Sequence, residues 1–299
     1  MISAVCLYIC SMMQKYTPSH TLNINGELFP LDKPLVMGIL NVTQESFYAA
    51  SRAFLPEAIA MAAKSMLDQG ADIIDIGACS TKPGASPIDE EEEMRRLGSA
   101  LKVIRDIAPE AFISVDTFRS AVAEQCVSEY GVQLINDVSG GKLDTRMFDT
   151  VARLQVPYIL THSNYDNKKT DINNTPTTSD NNIFQSTMHS LAQSINTLHL
   201  MGVNDIIIDP GFGFGKTLDD NYHLMGHIEE LHMLDCPLLV GVSRKSMIYN
   251  HLGCTPEEAL NGTTAMHTIA LMKGAHILRV HDVKEAVEAI RIVEKLKHS

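Results

Sequence analysis

The chain repeats one pattern eight times: a short, buried-looking apolar run, then an amphipathic stretch of helical period. The apolar runs are Leu35–Asn41, Ile73–Gly77, Phe112–Asp116, Leu134–Asp137, Tyr158–Thr161, Ile206–Asp209, Leu238–Gly241 and Ile277–Val280. Runs this short, rich in β-branched residues and polar mainly at their ends, read as strands covered on both faces, as in a parallel sheet. The amphipathic stretches are Pro56–Gln69, Asp89–Ile107, Ser120–Glu129, Thr145–Leu154, Ile183–Met201, Leu218–Met233, Pro256–Met272 and Asp282–Leu296. Strict alternation with no strand-only block predicts an α/β fold, a single (β/α)8 barrel of the TIM type. A doubly wound open sheet is the alternative, and eight regular units favour closure. Ahead of the barrel, Thr21 to Phe29 alternates polar and apolar around Asn25-Gly26, which predicts an N-terminal β-hairpin.

No linker divides the 299 residues, and 45% hydrophobic content is enough for one large core. The expected organisation is an apolar extension over 1–20, poorly ordered, and a barrel domain over 21–299. Its apolar opening, Met1 to Met13, lacks a basic n-region and a small-residue cleavage site and is too short to span a bilayer. The six cysteines are scattered without a close-spaced pair, which fits a reducing, cytoplasmic setting. A net charge of -12 argues against a nucleic-acid partner, and no membrane association is indicated. Any anionic substrate therefore needs a local cationic cluster. The acidic run Asp89 to Glu93 reads as a helix start favoured by the dipole rather than as a binding tail. Ser163–Asn182, polar and without apolar period, reads as a long loop after the fifth strand.

In such barrels the site forms at the carboxyl ends of the strands. Here those ends carry Asn41, Ser80-Thr81-Lys82, Asp116, Asn136-Asp137, Thr161-His162, Asp209, Ser243-Arg244-Lys245, and Arg279, His281 and Asp282. One such group could be a helix cap; polar groups at all eight ends, converging on one face, would cost several kcal/mol to bury unpaired, on the order of ~1–3 kcal/mol each. They divide chemically. Asp116, Asn136 and Asp209 suit the donor-rich edge of a flat heterocycle. Lys82, Lys245, Arg279 and His281 suit phosphate oxygens.

The run from Ile206 to Thr217 joins a buried strand to an acid, Asp209, and then to a loop of alternating glycines and phenylalanines. Gly215-Lys216-Thr217 ends like a nucleotide-binding P-loop, but the first glycine of that motif would fall on Pro210. A dinucleotide fingerprint would open a helix after the first strand, not after the sixth. His223 and His227 lie four apart without the HExxH context of a zinc site and read as a solvated face. Cys79 has no basic or His neighbour in sequence and reads as packing.

These residues, in order, resemble a family. Met37-Gly38-Ile39-Leu40-Asn41-Val42-Thr43, Ser80-Thr81-Lys82-Pro83-Gly84, Val115-Asp116-Thr117, Ile135-Asn136-Asp137, Asp209 through Thr217, Gly241-Val242-Ser243-Arg244-Lys245-Ser246 and Leu278-Arg279-Val280-His281-Asp282 are similar to the dihydropteroate synthases of folate biosynthesis. The resemblance implies a transferase, usually a homodimer. It would condense 6-hydroxymethyl-7,8-dihydropterin pyrophosphate with p-aminobenzoate, with Mg2+ helping to carry the pyrophosphate. It also implies residue roles. Asp116, Asn136, Asp209 and Lys245 would hold the pterin; Asn41, Arg279 and His281 the pyrophosphate, with Asn41 also near the metal; Thr81, Phe212 and Ser243 the aminobenzoate pocket. Lys82 stands in the same second loop. Asp116, Lys245, Arg279 and His281 are the expected catalytic groups.

The chain departs from the family's usual wording at Gln44-Glu45, Ala49-Ala50, Lys82 and Ser163-Asn164-Tyr165. A pterin-binding paralogue with weak or no turnover is therefore one alternative; a pterin-dependent methyltransferase, which would share the Asp and Asn ring contacts, is the other. The cationic group Lys245, Arg279 and His281 speaks against the methyltransferase.

Overall fold

The structure is a computed structural model that describes residues 20–42, 55–79, 88–164, 183–297 and 299. The expected N-terminal extension up to Ser19, Thr81 and Lys82, the departures at Gln44-Glu45 and Ala49-Ala50, and the long loop from Tyr165 to Asn182 lie outside the described residues.

The hairpin is β1 (Thr21–Ile24) and β2 (Glu27–Pro30), paired antiparallel with Ile24 opposite Glu27. Its turn places Asn25 at φ 54° and Gly26 at φ 87°, the two positive-φ positions that an Asn-Gly turn supplies at little cost. The barrel follows with β3 (Leu35–Asn41), α1 (Leu55–Asp68), β4 (Ile73–Gly77), α2 (Glu90–Ile107), β5 (Ile113–Asp116), α3 (Ser120–Tyr130), β6 (Leu134–Asp137), α4 (Met147–Leu154) and β7 (Tyr158–Thr161). It continues with α5 (Ile183–Leu200), β8 (Ile206–Asp209), α6 (Leu218–Gly226), a 3-10 helix (Ile228–Leu234), β9 (Leu239–Val240), α7 (Ser246–Leu252), α8 (Leu260–Met272), β10 (Ile277–Val280) and α9 (Val283–Lys297).

All barrel strands pair in parallel in the order β8-β7-β6-β5-β4-β3-β10-β9. A bridge between Ile208 and Leu238, with the Ile208 amide donating to the Pro237 carbonyl, joins β8 to the start of β9 and closes the ring. The expected (β/α)8 barrel with its hairpin is therefore present, and the strand bounds agree to within a residue at most ends. Two helical expectations are corrected. Leu218–Met233 is not one helix: α6 stops at Gly226, a weak helix former, and the His227 amide bonds back to Leu224 in the tighter 3-10 manner. The last-but-one stretch begins at Leu260 rather than Pro256, and a short extra helix, α7, occupies the segment after Lys245.

Alternation along the strands sorts side chains into two cores. Val36, Ile74, Ile76, Ile135, Leu160, Ile206 and Ile208 face outward into the layer packed by the helices. Leu35, Met37, Ile73, Leu134, Ile159, Ile207, Leu239 and Ile277 face inward and fill the amino-terminal half of the barrel. Leu22 of the hairpin and Leu31 join this inner cluster, so the hairpin plugs the bottom of the barrel. Because side chains alternate with period two, the next inward positions toward the carboxyl ends are Asn41, Asp75, Ser114 and Asp116, Asn136, Thr161, Asp209, Ser243, and Arg279 and His281. The inside of the barrel is thus apolar below and polar above.

If the hairpin is a plug, Leu22→Ala should lower the unfolding free energy by about 2–5 kcal/mol in a denaturant titration, the cost of a buried cavity. The exposed Leu28→Ala on β2 should stay within about 0.5 kcal/mol of the parent. Equal small losses for both would show that the hairpin packs nothing.

Candidate active site

Arg279 stands at the centre of the polar tier. Its Nε donates to Asp75 Oδ2 at 2.7 Å and its Nη2 to Asp116 Oδ2 at 2.6 Å, linking β10 to β4 and β5. Asn136 on β6 donates to the same Asp75 oxygen at 3.0 Å. Burial alone would lower the Arg279 pKa, but Asp75 and Asp116 outweigh it and hold the guanidinium charged. Burial, reinforced by Asp75 and Asp137, pushes Asp116 up to about 7 against the pull of Arg279 and Lys245. Asp75, on an all-buried strand, is a site residue that the strand ends alone do not reveal. Its signal in the sequence is an acid in phase with inward Ile73, between two isoleucines.

Asp209, also buried, accepts from the Gly211 amide at 2.8 Å, and burial raises its pKa in spite of Lys245 nearby. Small residues let these groups converge. A Cβ on Gly77 would lie 3.6 Å from Asn41 Oδ1 and 3.7 Å from Asp116 Oδ2; one on Gly241 would lie 3.9 Å from both Arg279 Cδ and Asp209 Oδ2. Asn41, Asp116, Asn136, Asp209 and Arg279 are therefore brought to one rim.

Lys245, the N-cap position of α7, extends its ammonium to the Phe212 carbonyl at 2.6 Å and lies 4.7 Å from the centre of the Phe214 ring. Burial pulls its pKa down to about 8, against the raising effect of Asp209. Ser243 accepts the His281 amide at 3.1 Å, tying the β9 and β10 ends together; the His281 side chain stands at the exposed mouth. Phe212 is placed otherwise than its expected pocket role requires. Its ring is fully buried in the outer core, and only its carbonyl meets the site, whereas Phe214 is the partly exposed aromatic of the loop.

The loop after β8 is held by Lys216, the lysine of the Gly215-Lys216-Thr217 run. Lys216 is buried, and its ammonium donates to the carbonyls of Gly211 at 2.8 Å, His162 at 3.2 Å and Phe214 at 3.5 Å. Burial lowers its pKa to about 7, even with Asp209 close by. The loop lies so tightly on β7 that a Cβ at Gly211, φ +70°, would come 1.9 Å from the His162 carbonyl oxygen. Asn164, one of the departures from the family wording, packs here and donates to the Gly215 carbonyl at 3.3 Å.

Other polar strand ends prove structural. Asp137 points outward, accepting from Tyr158 Oη and from the Ser139 and Gly141 amides. Glu93, the last of the acidic run that opens α2, is buried and paired with Arg119 and Thr117. His223 is exposed and His227 binds Glu230, in keeping with a surface face. Cys79 is partly buried with its thiol pKa raised by burial, the opposite of an activated nucleophile.

Among the described residues no group of three or more His, Cys, Asp or Glu side chains could hold a metal ion by itself. An amide oxygen and a carboxylate facing the same space, as Asn41 and Asp116 do across Gly77, still suit a hard cation that keeps its waters and shares a substrate's phosphates. Buried polar atoms without a protein partner include Asp75 Oδ1, Ser114 Oγ and Thr161 Oγ1, all in the inward tier. Such atoms, where burial is costly, mark a floor built to be completed by a polar ligand.

Among the described residues no helix is long and apolar enough to cross a membrane. Residues 37–281 match the model of the pterin binding enzyme family. The chain is 40% identical over 274 residues to the dihydropteroate synthase of Escherichia coli, covering 90% of this chain and 94% of that one. It is 38% identical to the Bacillus subtilis dihydropteroate synthase, covering 89% of each. A Yersinia pestis dihydropteroate synthase, solved with a sulfonamide drug, superposes with a TM-score of 0.83 at 37% identity, covering 94% of this chain and all (100%) of that one. A Xanthomonas albilineans dihydropteroate synthase, solved with 4-aminobenzoic acid, gives 0.83 at 33% identity over the same shares, 94% and 100%. With a barrel closed on this polar tier and relatives matched over nearly their whole length, the chain belongs to the pterin-binding enzymes, as a member of the dihydropteroate synthase family.

Proposed function

We propose that this site condenses 6-hydroxymethyl-7,8-dihydropterin pyrophosphate with p-aminobenzoate to give 7,8-dihydropteroate. A C–N bond forms at the exocyclic methylene, its C–O bond to pyrophosphate breaks, and the amine loses one proton. The observation that carries this reading is the division of one rim into an acceptor arc, Asp116, Asn136 and Asp209, beside a cationic arc, Arg279, Lys245 and His281.

On this reading the acceptor arc grips the N–H edge of the pterin, where charge-assisted bonds are strongest. The same carboxylates favour the positive charge that the ring shares as the leaving group departs. Arg279 and His281 take the pyrophosphate oxygens, and Asn41 would hold Mg2+ there together with the substrate. When bound, the metal would supply charge neutralisation at the departing pyrophosphate. The aniline nitrogen is already nucleophilic, so placing it matters more than deprotonating it. Ser243 would receive the aminobenzoate, with Thr81 and Lys82 completing that side. We assign the aromatic wall to Phe214 rather than Phe212, because Phe214 is the ring of this loop that is not buried in the core. A cytoplasmic homodimer is part of the proposal.

The test is pyrophosphate release with Mg2+, with and without p-aminobenzoate. Release should depend on the aminobenzoate, and Asp209→Asn should weaken pterin binding by about 100-fold, the scale of a lost charge-assisted pair. Absence of aminobenzoate-dependent release with pterin binding intact would remove the synthase reading. The pH profile is a separate check. Asp116 must be ionised, so activity should fall as pH drops through about 7; Lys245 must be protonated, so it should fall as pH rises through about 8. Lys245→Arg, charged throughout, should lose the alkaline limb and keep the acid one. An unchanged alkaline limb in that variant would clear Lys245 of the role.

A further inference from the structure

Arg244 lies between two proposed ligand-binding residues, Ser243 and Lys245, yet its own side chain turns away from the rim. Its Nε and Nη2 make a two-pronged pair with Asp282 Oδ2 and Oδ1 at 2.8 and 2.9 Å. Its Nη1 donates to the carbonyls of Pro256 at 2.9 Å and Glu257 at 2.6 Å. Its backbone amide donates to Thr263 Oγ1 on α8 at 3.1 Å. Arg244 also holds φ 52°, in the left-handed region that residues with a Cβ seldom occupy. Such a conformation persists only where the surroundings over-determine it, and here five hydrogen bonds do so.

The geometry has a consequence for the rim. The left-handed residue reverses the chain between Ser243, whose Oγ receives the His281 amide, and Lys245, whose ammonium reaches the loop after β8. Asp282 is the residue after His281. The guanidinium thus ties the β9 end to the β10 end from behind, while the Ser243 hydroxyl ties them from in front.

We propose that Arg244, through its fork to Asp282, is a positioning residue. It sets the spacing between the Lys245 wall and the Arg279–His281 wall, and so the fit of a ligand that bridges ring and pyrophosphate subsites. The inference rests on the assignment of those subsites above. On that assignment a pterin without the pyrophosphate would meet the acceptor arc on β5, β6 and β8, which Arg244 does not contact, and would share only Lys245 with the wall that Arg244 sets. Lysine at 244 keeps the charge but cannot form the fork.

The experiment measures, by calorimetry, the affinities of Arg244→Lys and Asp282→Asn for dihydropterin pyrophosphate with Mg2+ and for 6-hydroxymethylpterin alone. Each variant should bind the pyrophosphorylated ligand about tenfold more weakly, and the unphosphorylated pterin within about threefold of the parent. Thermal melts report whether each variant is folded, and the paired variants guard against the loss of one. The double variant should be no weaker than the weaker single one, because both changes break the same fork. Equal losses for both ligands would reduce Arg244 to general support, and no loss for either would remove any role. If the parent lacks aminobenzoate-dependent release, the proposed reaction falls while the binding comparison still decides the role of Arg244.

Discussion

The double ion pair of Arg279 is the interaction on which the rest of the site depends. Three charged groups, Arg279, Asp75 and Asp116, are withdrawn from water at the upper tier of the barrel, with Asp75 completely buried. Burying any one of them alone would cost several kcal/mol, on the order of ~3–5 kcal/mol if its partner were removed. Held at 2.6 and 2.7 Å, the guanidinium keeps close together two acids that would otherwise repel. The arrangement gives little net stability. It gives a fixed, charged surface from three strands, which a ligand bound there would meet already assembled.

The barrel makes that surface possible by separating its interior into levels. Eight inward apolar side chains and the hairpin fill the lower level, so the polar upper level has a dry floor and walls of fixed backbone. The loops then bring in what the strands cannot. Lys216 binds three carbonyls and folds the glycine-rich loop over β7, which delivers the Phe212 carbonyl and the Phe214 ring to Lys245. Arg244 does the corresponding work between β9 and β10. In both places a cation, buried at Lys216 and half-buried at Arg244, binds backbone carbonyls and fixes the loop around it.

Much of this was legible in the sequence because strand periodicity is strict. The bounds of β3, β4, β6, β7, β8 and β10 follow from apolar runs that end in polar residues, and the same runs put Asn41, Asp116, Asn136, Asp209 and Arg279 on one rim. Carrying the two-residue phase back from those ends would also have found Asp75 and set Asp137 outside the site. Loops carry no such period. That is why Phe212 and Phe214 could not be told apart by sequence: which ring is buried depends on how Lys216 gathers the carbonyls. It is also why the short helix α7 leaves no signature in the sequence and why the helical period runs on past the true end of α6 at Gly226. Arg244 illustrates the limit well, since nothing in Ser243-Arg244-Lys245 tells which side chain faces the rim until φ is known.

The network around Arg279 is tested most directly by a double-mutant cycle on the affinity for dihydropterin pyrophosphate, using Asp75→Asn, Arg279→Lys and the two together. If Asp75 acts by holding Arg279 in place, the double variant should bind no more weakly than Arg279→Lys alone, a coupling on the order of ~1–3 kcal/mol. Independent, additive losses would contradict a shared network and leave Asp75 as an ordinary buried acid.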